Sequence, residues 1–143
     1  MRMLPLLCLL CLLGCQKYTT DTLPDNRLHF GNSGGFNGQI REYVLLLDNG
    51  QILFDNRLQG EIEKIGKLSK EKLAAVRAEV DNIRFQTPAP RPANRNTEVT
   101  LYRDGVSKQM QWSGNNAPDA VAGRCFTELM GEVRRMRGTR PGE

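Results

Sequence analysis

The chain carries one histidine, His29, and four cysteines, Cys8, Cys11, Cys15 and Cys125, which is a thin inventory for side-chain chemistry. Nucleophilic catalysis needs a nucleophile, a base within hydrogen-bond reach and a third group that orients the base. His29 sits beside Phe30 in a short apolar run and reads as an exposed or half-buried strand residue. Cys125 falls inside a helical apolar stripe, so it reads as a small core residue without a catalytic partner. Zinc requires clustered Cys and His, and no Cys and His cluster is present. Asp48, Asp55 and Asp104 read as turn residues that hydrogen-bond locally. Glu61-Ile62-Glu63 pairs two carboxylates, but Lys64 and Lys67 beside them mark a solvated charged surface. A carboxylate hydrolase would need two acids converging in one pocket, and the sequence singles out no pair. These residues predict a protein without catalysis, metal or cofactor.

The densest unusual segment is Gly31-Asn32-Ser33-Gly34-Gly35-Phe36-Asn37-Gly38. A dinucleotide loop needs a strand before it and a helix after it, so that phosphate meets a helix N-terminus. Here a strand follows. The glycines instead permit positive φ, a bulge, or close approach of another backbone. Two readings stand: a structural bulge or turn, and a loop that contacts a partner. The net charge of +4 comes with Arg134, Arg135, Arg137 and Arg140 near the carboxyl end. No aromatics interleave with them, which argues against nucleic acid. Anionic lipid headgroups, or the dipole of a helix C-terminus, suit these arginines better.

Apolar residues make up 39% of the 143, and they crowd the amino terminus. Arg2 precedes an apolar run from Leu4 to Leu13 that is broken only by Pro5. About ten residues rising 1.5 Å each reach about 15 Å, half of a roughly 30 Å hydrocarbon core, so the run reads as a signal sequence rather than a span. Its end, Leu12-Leu13-Gly14-Cys15, resembles the lipobox of bacterial lipoproteins: aliphatic residues, a small residue, then Cys. The resemblance implies cleavage after Gly14, lipid on Cys15, and membrane lipid as a partner through that residue. Cys8 and Cys11 each follow Leu and fit this pattern poorly. Gln16, in the place where Asp would retain a Gram-negative lipoprotein in the inner membrane, implies the outer membrane facing the periplasm. Loss of the signal and lipidation of Cys15 would leave Cys125 alone, with no intramolecular disulfide and every reason to be buried.

The remaining chain is long enough for one core and too short for two. The expected organisation is a signal peptide over 1–14, lipidated Cys15 and a flexible tether over 15–26, one domain over 27–137, and a disordered tail over 138–143. Residues 27–30 read as a short strand. Gln39 to Leu47 is a longer one, with Ile40, Val44 and Leu46 facing one way and Tyr43, Leu45 and Leu47 the other. Asp48-Asn49-Gly50 turns it into a strand from Gln51 to Phe54. From the N-cap candidate Ser69, the spacing of Leu73, Val76, Val80 and Ile83 predicts a helix ending near Arg84 or Phe85, before Pro88, Pro90 and Pro92. Residues 86–96 read as a stiff extended loop. Glu98 to Arg103, the Asp104-Gly105 turn and Val106 to Trp112 form a second hairpin with one wet face. Val121, Cys125, Leu129 and Val133 then predict a helix from about Pro118 to Arg137. The fold class expected is α+β in two layers: an antiparallel sheet of four to five strands with two helices on one face, in the order β-β-β-α-β-β-α.

Ser33, Gly34, Gly35, Phe36 and Gly38, followed by the long strand, resemble the opening motif of emfourin-like proteins, small α+β inhibitors of thermolysin-like metalloproteases. The order of the later elements is similar over about residues 28–136, though only the glycine motif is specific. The resemblance implies a non-catalytic module that binds a protein partner, a metalloprotease among the classes to test, with those five residues as contacts. The lipid anchor departs from that family. An alternative expectation is an accessory lipoprotein that docks onto an envelope assembly through an apolar outer sheet patch around Tyr43, Leu45 and Tyr102. If the loops at 31–38, 86–96 and 113–117 point to opposite ends of the domain, a single joint binding surface is excluded.

Overall fold

A computed structural model describes residues 17–34, 40–85 and 94–138. Its centre is strand β1 (Arg27–Gly34), which pairs antiparallel on one side with β2 (Ile40–Leu46) and on the other with β5 (Arg95–Arg103). Outward from β2 come β3 (Gln51–Asn56) and β4 (Glu61–Lys67), and outward from β5 comes β6 (Val106–Ser113). The result is one six-stranded antiparallel sheet in the order β4-β3-β2-β1-β5-β6. Helices α1 (Lys70–Asn82) and α2 (Ala120–Gly138) cover one face of it. The expected α+β class with two helices on one face is the observed one.

Local chemistry sets the element ends. Asp104 and Gly105 both take positive φ, 55° and 70°, as a two-residue turn between right-twisted strands requires. Ser69 caps α1 by accepting from the Lys72 backbone N–H at 3.3 Å. Asp119 does the same for α2, its Oδ1 accepting from the Ala122 N–H at 2.9 Å. The stripes Leu73, Val76, Val80 and Ala122, Cys125, Leu129, Val133 then enter a core shared with Leu28, Phe30, Tyr43, Leu45, Ile52 and Val99 of the sheet. Each fully buried Leu there contributes about 1.5–3 kcal/mol.

The structure corrects several expectations. There are six strands, not four or five, because Glu61–Lys67 is an edge strand rather than a charged surface stretch. Its alternation is hidden by a bulge: Ile52 pairs with Gly66 and Leu53 with Lys64, so Ile65 is the extra residue. Strand β1 runs on to Gly34, into the glycine segment, and β5 starts at Arg95 inside the stretch read as loop. Helix α1 stops at Asn82, with Ile83 extended at the C-cap. Residues 17–26, expected as a free tether, pack against the domain. Tyr18 is buried with Val44, Leu46 and Leu53 on the face opposite the helices, and Leu23 joins them. Asp25 accepts from the Gly105 N–H, and Asn26 donates to Asp48, which ties this segment to the β5–β6 and β2–β3 turns.

The outer patch expected around Tyr43, Leu45 and Tyr102 does not form. Tyr43 and Leu45 point under the helices, and the residues that alternate with them, Val44 and Leu46, lie beneath Tyr18. Asp55 is not a turn residue: it sits in β3 with 4% exposure. Cys125 is buried, as expected.

Candidate functional site

Register decides what gathers where. Ser33 at the end of β1 faces Ile40 across to β2 and Asn96 across to β5, and Asn96 in turn faces Ser113 at the end of β6. The described residues that bracket the loops at 31–38 and 113–117, and those that close the loop at 86–96, therefore lie at one end of the sheet, while α1, which leads into that last loop, ends toward the other, where Asp81 pairs with Arg103. Of the expected contact residues, Ser33 and Gly34 are the last two of β1, half-buried and exposed. Gly35, Phe36 and Gly38 lie outside the described residues, as does Cys15.

Two glycines of the glycine-rich segment have a structural reason to be glycine. A Cβ on Gly31 would stand 2.0 Å from the Arg41 carbonyl oxygen, and one on Gly34, at φ 97°, would stand 2.2 Å from that of Asn94. Neighbouring backbones approach where side chains would normally keep them apart. The missing side chain at Gly31 also borders a cleft of about 210 Å³ on the open face, whose rim includes His29, Ser33, Glu42, Arg57 and Glu98. On the helix side of the same end, Trp112, Asn115, Phe126 and Thr127 line a second cleft of about 570 Å³. Asn32 lines both clefts and is held by the Thr97 hydroxyl, which donates to its Oδ1 at 2.9 Å. The end of β1 thus forms a ridge between two depressions.

The charged cluster beside the first cleft was not foreseen. Arg27 Nε donates to His29 Nε2 at 2.9 Å. An arginine has no acceptor, so Nε2 must be the bare nitrogen, and the proton sits on Nδ1, which donates to Glu42 Oε1 at 2.5 Å. The other oxygen of Glu42 pairs with Arg57. Burial pushes the Glu42 carboxyl up, but the His29 hydrogen bond and the Arg57 charge outweigh it and hold Glu42 below the usual carboxylate range. Asp55 lies alongside, 3.9 Å from Arg57 Nε, and is pushed up by burial and then by the charge of Glu42. Arg27 also stacks over Tyr102, 4.1 Å from the ring centre, and donates to the Pro24 carbonyl at 2.9 Å. With both nitrogens of His29 and both oxygens of Glu42 engaged, the cluster clamps β1, β2 and the start of the β3–β4 turn to the segment before β1. Glu98, which accepts from the Thr100 hydroxyl at 3.2 Å, is the carboxylate that turns toward the cleft from β5.

Sequence spacing held little trace of this cluster. Arg27 and His29 share a strand face at i, i+2, but Glu42 and Arg57 join them only through the β1–β2 and β2–β3 pairings. The carboxyl-terminal arginines divide: Arg135 pairs with Glu132 in its own helix, while Arg137 lies 4.7 Å from the Phe54 ring centre and 5.3 Å from that of Tyr43. Among the described residues no group of three or more His, Cys, Asp or Glu is arranged to hold a metal ion, and no helix is long and apolar enough to cross a membrane. Compared with known proteins, the chain matches no family model and no curated sequence.

Proposed function

We propose that the chain is a lipid-anchored envelope protein, attached through Cys15 to the outer membrane and facing the periplasm, whose domain binds a protein partner without catalysis. The partner class suggested by the glycine motif is a thermolysin-like metalloprotease, with inhibition as the outcome of binding. The observation that carries the binding role is the convergence of the three loop-bracketing positions, Ser33, Asn96 and Ser113, at one sheet end beside two clefts. A surface held by a central strand loses little conformational entropy on docking, so more of its contact energy appears as affinity. The accessory-lipoprotein reading lacks the outer apolar patch that would have favoured it, because Tyr18 and Leu23 cover Val44, Leu46 and Leu53.

The test is a pull-down of the lipid-free domain from envelope extract, run beside an inhibition assay against a thermolysin-like protease. Loss of protease activity at stoichiometric domain supports the full proposal. Tight association that leaves activity intact keeps the binding role and removes inhibition. No retained protein, and no effect of substitutions at Ser33, Asn96 and Asn115 on any interaction, would refute the loop-end surface.

A further inference from the structure

We infer that the open face of the sheet, the one capped by residues 17–24, is the membrane-facing side of the domain, and that α1 and α2 face away from the bilayer. This rests on the proposed lipidation of Cys15. Tyr18 is 9% exposed and wedged against Val44, Leu46 and Leu53, so its backbone is held on the open face. Three residue steps separate it from Cys15, and even fully extended chain covers only about 3.6 Å per residue, or roughly 11 Å in all. A lipidated Cys15 sits at the headgroups, so Tyr18 cannot stand farther from them than that. The outer surface of the helical layer lies on the other side of the sheet, farther by at least the roughly 10–12 Å thickness of a helix.

Two further features agree. Of the three exposed large apolar side chains among the described residues, Leu58 at 97% and Ile40 at 52% belong to the open face or its rim. Ile40 shares its strand face with Val44 and Leu46, and Leu58 follows Arg57 in the β3–β4 turn. The competing lipid contact, the arginine-rich end of α2, is partly consumed: Arg135 is paired with Glu132, and Arg137 lies over Phe54 and Tyr43. With the sheet lying along the bilayer, its strands run parallel to the surface. The loop end then looks sideways along the membrane, and its partner must be membrane-bound or approach along the surface.

The experiment uses the full lipidated chain in phosphatidylethanolamine and phosphatidylglycerol vesicles doped with a headgroup nitroxide. Single variants Leu58→Cys and Lys64→Cys on the open side, and Glu71→Cys and Arg134→Cys on the helical side, carry a fluorophore; buried Cys125 stays unlabelled. Quenching several-fold stronger at positions 58 and 64 than at 71 and 134 is the expected result. In Tyr18→Ala, which frees the segment, that contrast should shrink while lipid labelling persists. Equal quenching at all four sites, or stronger quenching at 71 and 134, overturns the orientation while lipidation stands. Absence of labelled palmitate at Cys15 removes the anchor and the orientation together, and is read separately from quenching.

Discussion

Replacing Gly31 with Ala adds one methyl group where the structure has no place for it. The new carbon would stand 2.0 Å from the Arg41 carbonyl oxygen, and 3.0 Å from both the Arg41 carbonyl carbon and Glu42 Cα. Carbon–oxygen contacts between neighbouring strands settle at about 3.3–3.6 Å, so β1 and β2 must separate locally by more than about 1 Å. The obstacle is backbone, which has no rotamer to change. Overpacking of this kind costs about 1–3 kcal/mol and more where nothing yields, and each ladder bond broken in the separation adds about 0.5–1.5 kcal/mol. The gain from restricting an unfolded glycine is about 0.4–1 kcal/mol and does not offset this. We expect a net loss of about 3 kcal/mol or more, the upper end of the overpacking range. That corresponds to a drop in Tm of roughly 12 °C for a domain of this size. Urea unfolding followed by tryptophan fluorescence at Trp112 measures it, with the midpoint falling by about 1 M or more at an unchanged slope. A midpoint within experimental error of the parent would refute the close approach and, with it, the claim that Gly31 is structural.

Four other outcomes follow from the buried groups. Asp55 has a folded pKa raised by burial and by Glu42, so its favourable contribution is complete below its unfolded value and is lost as pH rises through the folded one; Asp55→Asn should therefore stabilise the protein at pH 7, with the gain vanishing by pH 3 in parallel urea titrations. Glu42 is depressed and behaves oppositely: its stabilisation exists above the unfolded pKa and disappears as pH falls through the folded one. Glu42→Gln should thus destabilise at pH 7 and converge with the parent in acid, and a deficit independent of pH would refute the ion-pair origin. The Cys125 thiol, pushed up to about 12 chiefly by burial, should react with a disulfide reagent only as fast as the domain unfolds, and rapid labelling of native protein would count against its burial. Tyr18→Ala should cost about 3 kcal/mol, the low end of the range for truncating a buried aromatic ring, and should expose residues 17–24 to proteolysis. Unchanged stability and resistance would restore the free tether.

Patterns carried by neighbours along the chain were legible without coordinates. The helical stripes through Val76 and Leu129, the cap at Ser69, the Asp104-Gly105 turn and the burial of Cys125 follow from 3.6-residue and two-residue periodicity and from turn chemistry. So did the α+β class, because two amphipathic helices and alternating strands have few ways to bury their apolar faces. Contacts between distant residues were not legible. Strand order, the six-strand count with its bulge at Ile65, the seat of Tyr18, and the meeting of Arg27 and His29 with Glu42 and Arg57 all depend on which strands become neighbours and in what register. Pairing energy is made of backbone bonds that every residue offers alike, so the sequence marks a strand's faces but not its partner. The packing of the whole sheet makes that choice, and it alone brings Ser33, Asn96 and Ser113 to one end.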